Sequence, residues 1–238
     1  RTVEDHLTHL RQIVMLHVSV GMKLNLQKCN IFHNEVQYLG HLVSADGIRM
    51  IPSYVQRIMD WPLPKTGKEL RSFLGFTGYY RSFIKEYAHL THEMNKMKSG
   101  VNLEWCEATQ KKFQQLKECF QAEPVRGYPQ YDNLEPFILD TDYSSTNMAA
   151  VLSQKQNGKE VFLGCVAKKC NTAQASYAPH KGELAAVILG TKKFEHILRA
   201  KPFVIRTDSR CVQFLNSMKE FRGIYARWNC FLSSFQFT

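Results

Sequence analysis

Asp142, Glu183 and Asp208 lie far apart in the chain, each where a carboxylate is hard to account for as structure. Asp142 ends the run Pro136-Phe137-Ile138-Leu139-Asp140-Thr141-Asp142, and Asp208 ends a second strand-like run, Phe203-Val204-Ile205-Arg206-Thr207-Asp208. Glu183 opens a helical stretch that is otherwise apolar (Leu184, Ala185, Val187, Ile188). Acids at two strand ends and a helix start can converge on one point. Such a cluster repels itself unless divalent cations neutralise it, and its usual use is to hold Mg²⁺ for phosphodiester chemistry. Any one of these acids alone also fits a helix cap or a solvated chain end; the three together point to the metal.

The elements that must position them are legible from periodicity and turn chemistry. Val3, Leu7, Leu10, Val14 and Val18 share one face of a helix over 2–20, which Gly21 ends. Val36-Gln37-Tyr38-Leu39 and His41-Leu42-Val43 are β-like, broken by Gly40 and by Ala45-Asp46-Gly47, a hairpin signal. Pro52 begins a short helix ending before Trp61-Pro62-Leu63-Pro64, and Thr66-Gly67-Lys68-Glu69 is a capping box for a helical region reaching about Lys98. There, Phe73, Phe76, Tyr80 and Phe83 at helical spacing predict core, and Arg71, Arg81 and Lys85 lie one to three turns apart, a spacing that can follow a phosphate backbone. A further helix spans roughly Glu107–Gln121. After a boundary near Val125–Asn133 come strands at 136–142, 147–154 and 160–167, with Asn157-Gly158 as a hairpin turn. A helix from about Pro179 to Arg199, a strand at 203–207 and helical segments near 209–216 and 223–234 complete a mixed sheet flanked by helices.

The formal charge of +10 and the pI near 9.3 favour a polyanionic partner. The excess is even: residues 1–129 carry 17 Lys and Arg against 12 Asp and Glu, and residues 130–238 carry 14 against 9. The seven cysteines are odd in number and scattered, and Cys165 and Cys170 have no second pair for a zinc site, so reduced, mostly buried thiols are expected. No apolar run approaches the ~20 residues of a membrane span. The first residues carry neither an initiator Met nor a signal-peptide pattern, which predicts a piece of a longer, non-secreted chain acting in the cytoplasm or nucleus.

The order of the acids separates candidate folds. Asp, then Glu 41 positions on, then Asp after a further 25, is the ribonuclease H arrangement, whereas integrases of the related sheet place two Asp before the Glu. Over essentially its whole length the chain resembles the C-terminal part of a gypsy-type (Metaviridae) LTR retrotransposon reverse transcriptase. Gly21-Met22-Lys23-Leu24-Asn25, Lys28-Cys29, Tyr38-Leu39-Gly40-His41, Ser44 and Gly47-Ile48 resemble the end of the palm and its primer-grip hairpin. Trp61-Pro62-Leu63-Pro64-Lys65, Glu69-Leu70-Arg71-Ser72-Phe73-Leu74-Gly75 and Tyr79-Tyr80-Arg81-Ser82-Phe83-Ile84 resemble the thumb, and are the most specific stretch. Phe137-Ile138-Leu139, Thr141-Asp142, Ala150-Val151-Leu152-Ser153-Gln154, Glu183-Leu184, Thr207-Asp208 and Ala226-Arg227-Trp228 resemble the RNase H domain.

The resemblance implies an α+β to α/β fold: a palm end over 1–51, a helical thumb over 52–128, and over 129–238 an RNase H-like mixed five-stranded sheet flanked by helices and cut short at its C-terminus. It makes Asp142, Glu183 and Asp208 the catalytic carboxylates holding two Mg²⁺ ions, with Mn²⁺ able to substitute. Asp140 and Ser209 are auxiliary candidates. Leu39, Gly40 and His41, with Arg71, Arg81 and Lys85, would contact nucleic acid, although a plain β-turn accounts for Leu39-Gly40 equally well. The implied partners are an RNA–DNA hybrid, a primer–template and the rest of the Pol polyprotein, with no membrane. The parent enzyme would copy RNA into DNA and cleave the RNA of the hybrid. The family's paired polymerase aspartates and its fourth RNase H carboxylate are absent, Asn147-Met148-Ala149 replaces small glycines, and Lys181 stands where an acid is common. These departures keep two other expectations open: a decayed or domesticated copy that only binds nucleic acid, and an interaction protein with no nucleic-acid role.

Overall fold

The computed structural model describes residues 2–122, 124–207 and 223–238. Two compact units are present, Arg1–Val36 and Gln37–Thr238. In the first, α1 (Val3–Ser19) starts at a capping box in which the Thr2 hydroxyl accepts from the Asp5 N–H and the Asp5 carboxylate accepts from the Thr2 N–H. Gly21 leaves the helix at φ +71°. No residue of α1 is buried, and Val3, Leu7, Val14 and Val18 of the expected inner face are exposed. Apolar periodicity marks a face that needs a cover, and the described residues of this unit supply none.

The strand β1 (Glu35–Tyr38) carries the chain into the second unit. Leu39 and Gly40, at φ +46° and +76°, reverse it into β2 (His41–Ser44). β2 pairs antiparallel with β3 (Gly47–Met50), Ser44 opposite Gly47, so the Ala45-Asp46 hairpin forms as the sequence predicts. Glycine is required at 47: its φ is +138°, and a Cβ there would lie 2.4 Å from the Arg126 carbonyl oxygen.

Four helices follow: α2 (Pro52–Met59), α3 (Gly67–Tyr79), α4 (Tyr87–Met97) and α5 (Glu107–Gln121). At the start of α3 the Thr66 hydroxyl accepts from the Glu69 N–H at 3.2 Å, while the Glu69 carboxylate accepts from the Lys65 N–H at 2.7 Å. The helical region expected to run to Lys98 breaks at Tyr80, where a single 3-10 turn, Arg81–Phe83, intervenes. The break turns Tyr80 and Phe83 inward, both only 2% exposed, against the His41 ring. Leu70, Phe73, Met94, Leu116 and Phe120 fill the core beneath, and Phe76 packs at its margin.

The second core lies under a mixed sheet of β4 (Phe137–Tyr143), β5 (Asn147–Gln156), β6 (Lys159–Lys169) and β7 (Phe203–Thr207), in the order β6-β5-β4-β7. Asn157 and Gly158, both at positive φ, make the two-residue turn between β5 and β6. β7 is parallel to β4. Among the described residues the sheet has four strands rather than the expected five. Beside β7 the chain makes only an isolated bridge, in which the Phe203 and Ile205 N–H groups donate to the Gln236 and Thr238 carbonyls and the Thr238 N–H to that of Phe203. The described helices here are α6 (Thr172–Ala175), α7 (Pro179–Lys193), α8 (Glu195–Leu198) and α9 (Ile224–Leu232), and the helical segment expected near 209–216 lies outside the described residues. The single helix expected over 179–199 is interrupted at Phe194 (φ −106°), whose ring enters the core with Phe137, Leu152 and Phe203.

A loop residue joins the helical and sheet parts. Ile48 and Arg126 exchange backbone hydrogen bonds of 2.8 and 3.0 Å, and the Arg126 guanidinium donates to the Leu163 carbonyl (3.2 Å) and the Ser82 hydroxyl (3.4 Å). The Cys165 thiol donates to the Ser82 carbonyl at 3.3 Å. Among the described residues no helix is long and apolar enough to cross a membrane.

Candidate nuclease and nucleic-acid sites

Asp142 occupies the penultimate position of β4 and is exposed. Thr141 pairs with Thr207, so the ends of β4 and β7 lie side by side. Glu183 sits in the second turn of α7, 9% exposed, and the Thr207 hydroxyl donates to its Oε2 at 3.4 Å. Glu183 is thereby brought to the same end of the sheet as Asp142. Asp208 and Ser209 lie outside the described residues.

The helix reaches the sheet because two of its positions are glycine. A Cβ on Gly182 would lie 2.1 Å from the Tyr143 ring, and one on Gly190 2.6 Å from the Ala150 Cβ. Leu139 and Tyr143 therefore face α7, and strand alternation places Asp140 and Asp142 on the other face. Asp140 there stands 3.8 Å from Arg206, which also pairs with Glu160 at 3.2 Å. Burial raises the Asp140 carboxyl, and the Arg206 charge opposes that rise. Burial foremost, then Cys170, Tyr177 and the Glu183 charge, push the Tyr143 phenol up. Among the described residues no three His, Cys, Asp or Glu side chains group as a metal site. The two described carboxylates are hard oxygen donors of the kind Mg²⁺ takes.

The Leu39-Gly40 turn is held from α3. The Tyr79 hydroxyl donates to the Leu39 carbonyl at 2.6 Å and the Tyr80 hydroxyl to that of Gly40 at 2.7 Å. Burial foremost, with Tyr54 and Tyr79 nearby, pushes the Tyr80 phenol up to about 12. His41 stacks on Phe83 with centroids 5.6 Å apart. Leu39, Gly40, Arg57, Arg71 and Tyr79 border a cleft of about 630 Å³. Arg71 also donates to the Lys98 carbonyl.

Arg81 and Lys85 do not border this cleft. Arg81 lines a second one, and the Lys85 ammonium lies 5.6 Å from the centroid of the Phe162 ring. The break at Tyr80 is the reason: residues beyond it no longer share the helical phase of Arg71. Arg57, whose guanidinium lies 5.0 Å from the Phe76 ring centroid, and the Tyr79-Tyr80 pair were not singled out for the cleft from sequence. The tyrosine doublet at a helix end was a visible signal; its partners 40 residues earlier were not.

Residues 132–235 match the RNase H-like domain found in reverse transcriptase. The chain is 33% identical over 242 residues to the retrovirus-related Pol polyprotein from transposon 297 of Drosophila melanogaster, covering 99% of this chain and 22% of that one. It is 29% identical over 243 residues to the transposon Tf2-3 polyprotein of Schizosaccharomyces pombe, covering 100% of this chain and 18% of that one. The fold matches the foamy viral protease-reverse transcriptase in complex with an RNA/DNA hybrid, with TM-score 0.77, 17% identity, and coverage of 100% of this chain and 33% of that one. A related foamy viral structure, the dRH form with double-stranded DNA, matches with TM-score 0.79 and 17% identity, covering 100% of this chain and 43% of that one. The sheet-bearing part is an RNase H-like domain of the reverse-transcriptase kind, and the chain as a whole is similar to part of retrotransposon Pol polyproteins. It spans about a fifth of the length of the curated relatives it matches.

Proposed function

We propose that this chain is the hybrid-handling portion of a retrotransposon reverse transcriptase, with a palm end over 1–51, a thumb over 52–128 and an RNase H-like domain over 129–238. The observation that carries the reading is the placement of Glu183: a carboxylate nearly buried on an apolar helix, at the end of the sheet where Asp142 stands. Asp142 and Glu183, with Asp208, would hold Mg²⁺, which would supply an activated water and stabilise the leaving 3′ oxygen. The turn at Leu39, Gly40 and His41, with Arg71, would seat the primer–template. Work on such a substrate belongs in the cytoplasm or nucleus, beside the rest of the polyprotein.

A second reading, binding without cleavage, is favoured by the alternation that sets Asp142 on the face of β4 away from α7. One assay separates the two. The chain is incubated with a uniform RNA–DNA hybrid in Mg²⁺ or Mn²⁺, beside Asp142→Asn and Glu183→Gln variants. Metal-dependent RNA cleavage lost in both variants supports the nuclease. Hybrid binding without cleavage supports the second reading, and cleavage that survives Asp142→Asn removes that residue from the site.

A further inference from the structure

A second cleft, of about 310 Å³, opens where the 3-10 turn after α3 meets β6 and α7. Arg81, Lys168 and Lys193 stand on it, one from each of these elements, and all three are exposed. Among the described residues no acidic side chain lines it. None of the three cations is in an ion pair among the described residues, whereas Lys96, Arg199 and Arg206 each pair with a glutamate. The fold therefore concentrates uncompensated positive charge in this concavity. A position in the last turn of a helix accounts for Lys193 by itself, but not for Arg81 or Lys168.

The walls are fixed. Ser82 beside Arg81 is held by the Cys165 thiol and the Arg126 guanidinium, and Val166, Ala167 and Leu189 make an apolar floor. Exposed cations around such a floor suit a strand backbone held by counterion release. A free phosphate is more usually bound by buried, convergent donors.

We propose that this cleft takes backbone phosphates of one strand of a nucleic-acid duplex, a contact separate from the Leu39-Gly40 turn. The proposal rests on the reading that the chain handles an RNA–DNA hybrid.

The test is fluorescence anisotropy with a labelled RNA–DNA hybrid over a KCl series, on the unaltered chain and on two double variants of equal charge change. Lys168→Gln/Lys193→Gln should lower the steepness of log K against log salt by roughly two, one phosphate contact per lysine. Lys155→Gln/Lys159→Gln, exposed at the β5–β6 turn, should leave the slope unchanged. Equal slope losses in both pairs, or none in the first, overturn the proposal. So does calorimetric binding of inorganic phosphate that needs Lys168 and Lys193 while the hybrid slope stays constant, since the site is then one for the free anion. If the unaltered chain binds no hybrid at low salt, the proposed function falls with it; if it binds and Lys168→Gln/Lys193→Gln changes nothing, only this site falls.

Discussion

The hydroxyl of Tyr80 donates to the Gly40 carbonyl at 2.7 Å, tying the end of α3 to a turn 40 residues earlier. Replacing Tyr80 with Phe leaves that carbonyl without its donor and should cost about 1–2 kcal/mol. For a chain of this size that is a fall in Tm of roughly 2–4 °C per kcal/mol. Tyr79→Phe, at a more exposed ring, should cost less stability. Both should weaken primer–template binding, measured by anisotropy, if the turn is a nucleic-acid contact.

Gly190→Ala sets a methyl group against Ala150 and Leu139, lifting α7 from the sheet. Overpacking of this kind costs about 1–3 kcal/mol. The urea midpoint should fall with an unchanged m-value. Gly182→Ala should destabilise in the same way, and because it displaces the residue beside Glu183 it should also reduce any nuclease activity.

Glu69 is held below its ordinary value of 4.5 first by the Lys65 N–H, and Glu160 is lowered first by the Ser153 hydroxyl. A carboxylate depressed in the folded state contributes stability above its unfolded pKa and loses it as pH falls through the folded value. Stability should therefore decline on acidification below about pH 4.5, the ordinary glutamate range. Glu69→Gln should be less stable at neutral pH and show a shallower decline, read from urea midpoints across an acid series.

The thiols should differ in reactivity. Burial pushes Cys165 up to about 11, whereas the Thr109 hydroxyl foremost lowers exposed Cys106. The thiolate is the nucleophile. Near pH 8, alkylation followed by peptide mass spectrometry should label Cys106 ahead of exposed Cys29 and Cys230, and Cys165 only after unfolding.

Local chemistry was the legible part of this chain. The turns at Ala45-Asp46 and Asn157-Gly158, the Pro52 helix start and the span of α5 follow from residue preferences that act within a few positions. The breaks at Tyr80 and Phe194 were not legible, because helical spacing continues through both and only distant partners draw those rings inward. The α1 face was read correctly as apolar, yet periodicity says nothing about what covers it. Of the acids, the sequence named Glu183 from its apolar surroundings, and the structure adds the Thr207 contact. Arg71 and Arg81 line different clefts for the same reason that the long helix is broken. Arg126, in a loop rich in Gly and Pro, carried no sign of its partners at Ile48, Ser82 and Leu163.

Those Arg126 contacts bear on how the molecule comes apart. The Arg126 main chain is laddered to β3 and its half-buried side chain reaches both cores, so melting either core breaks Arg126 hydrogen bonds that serve the other. Residues 37–238 should therefore give a single calorimetric endotherm, and Arg126→Ala should split it in two.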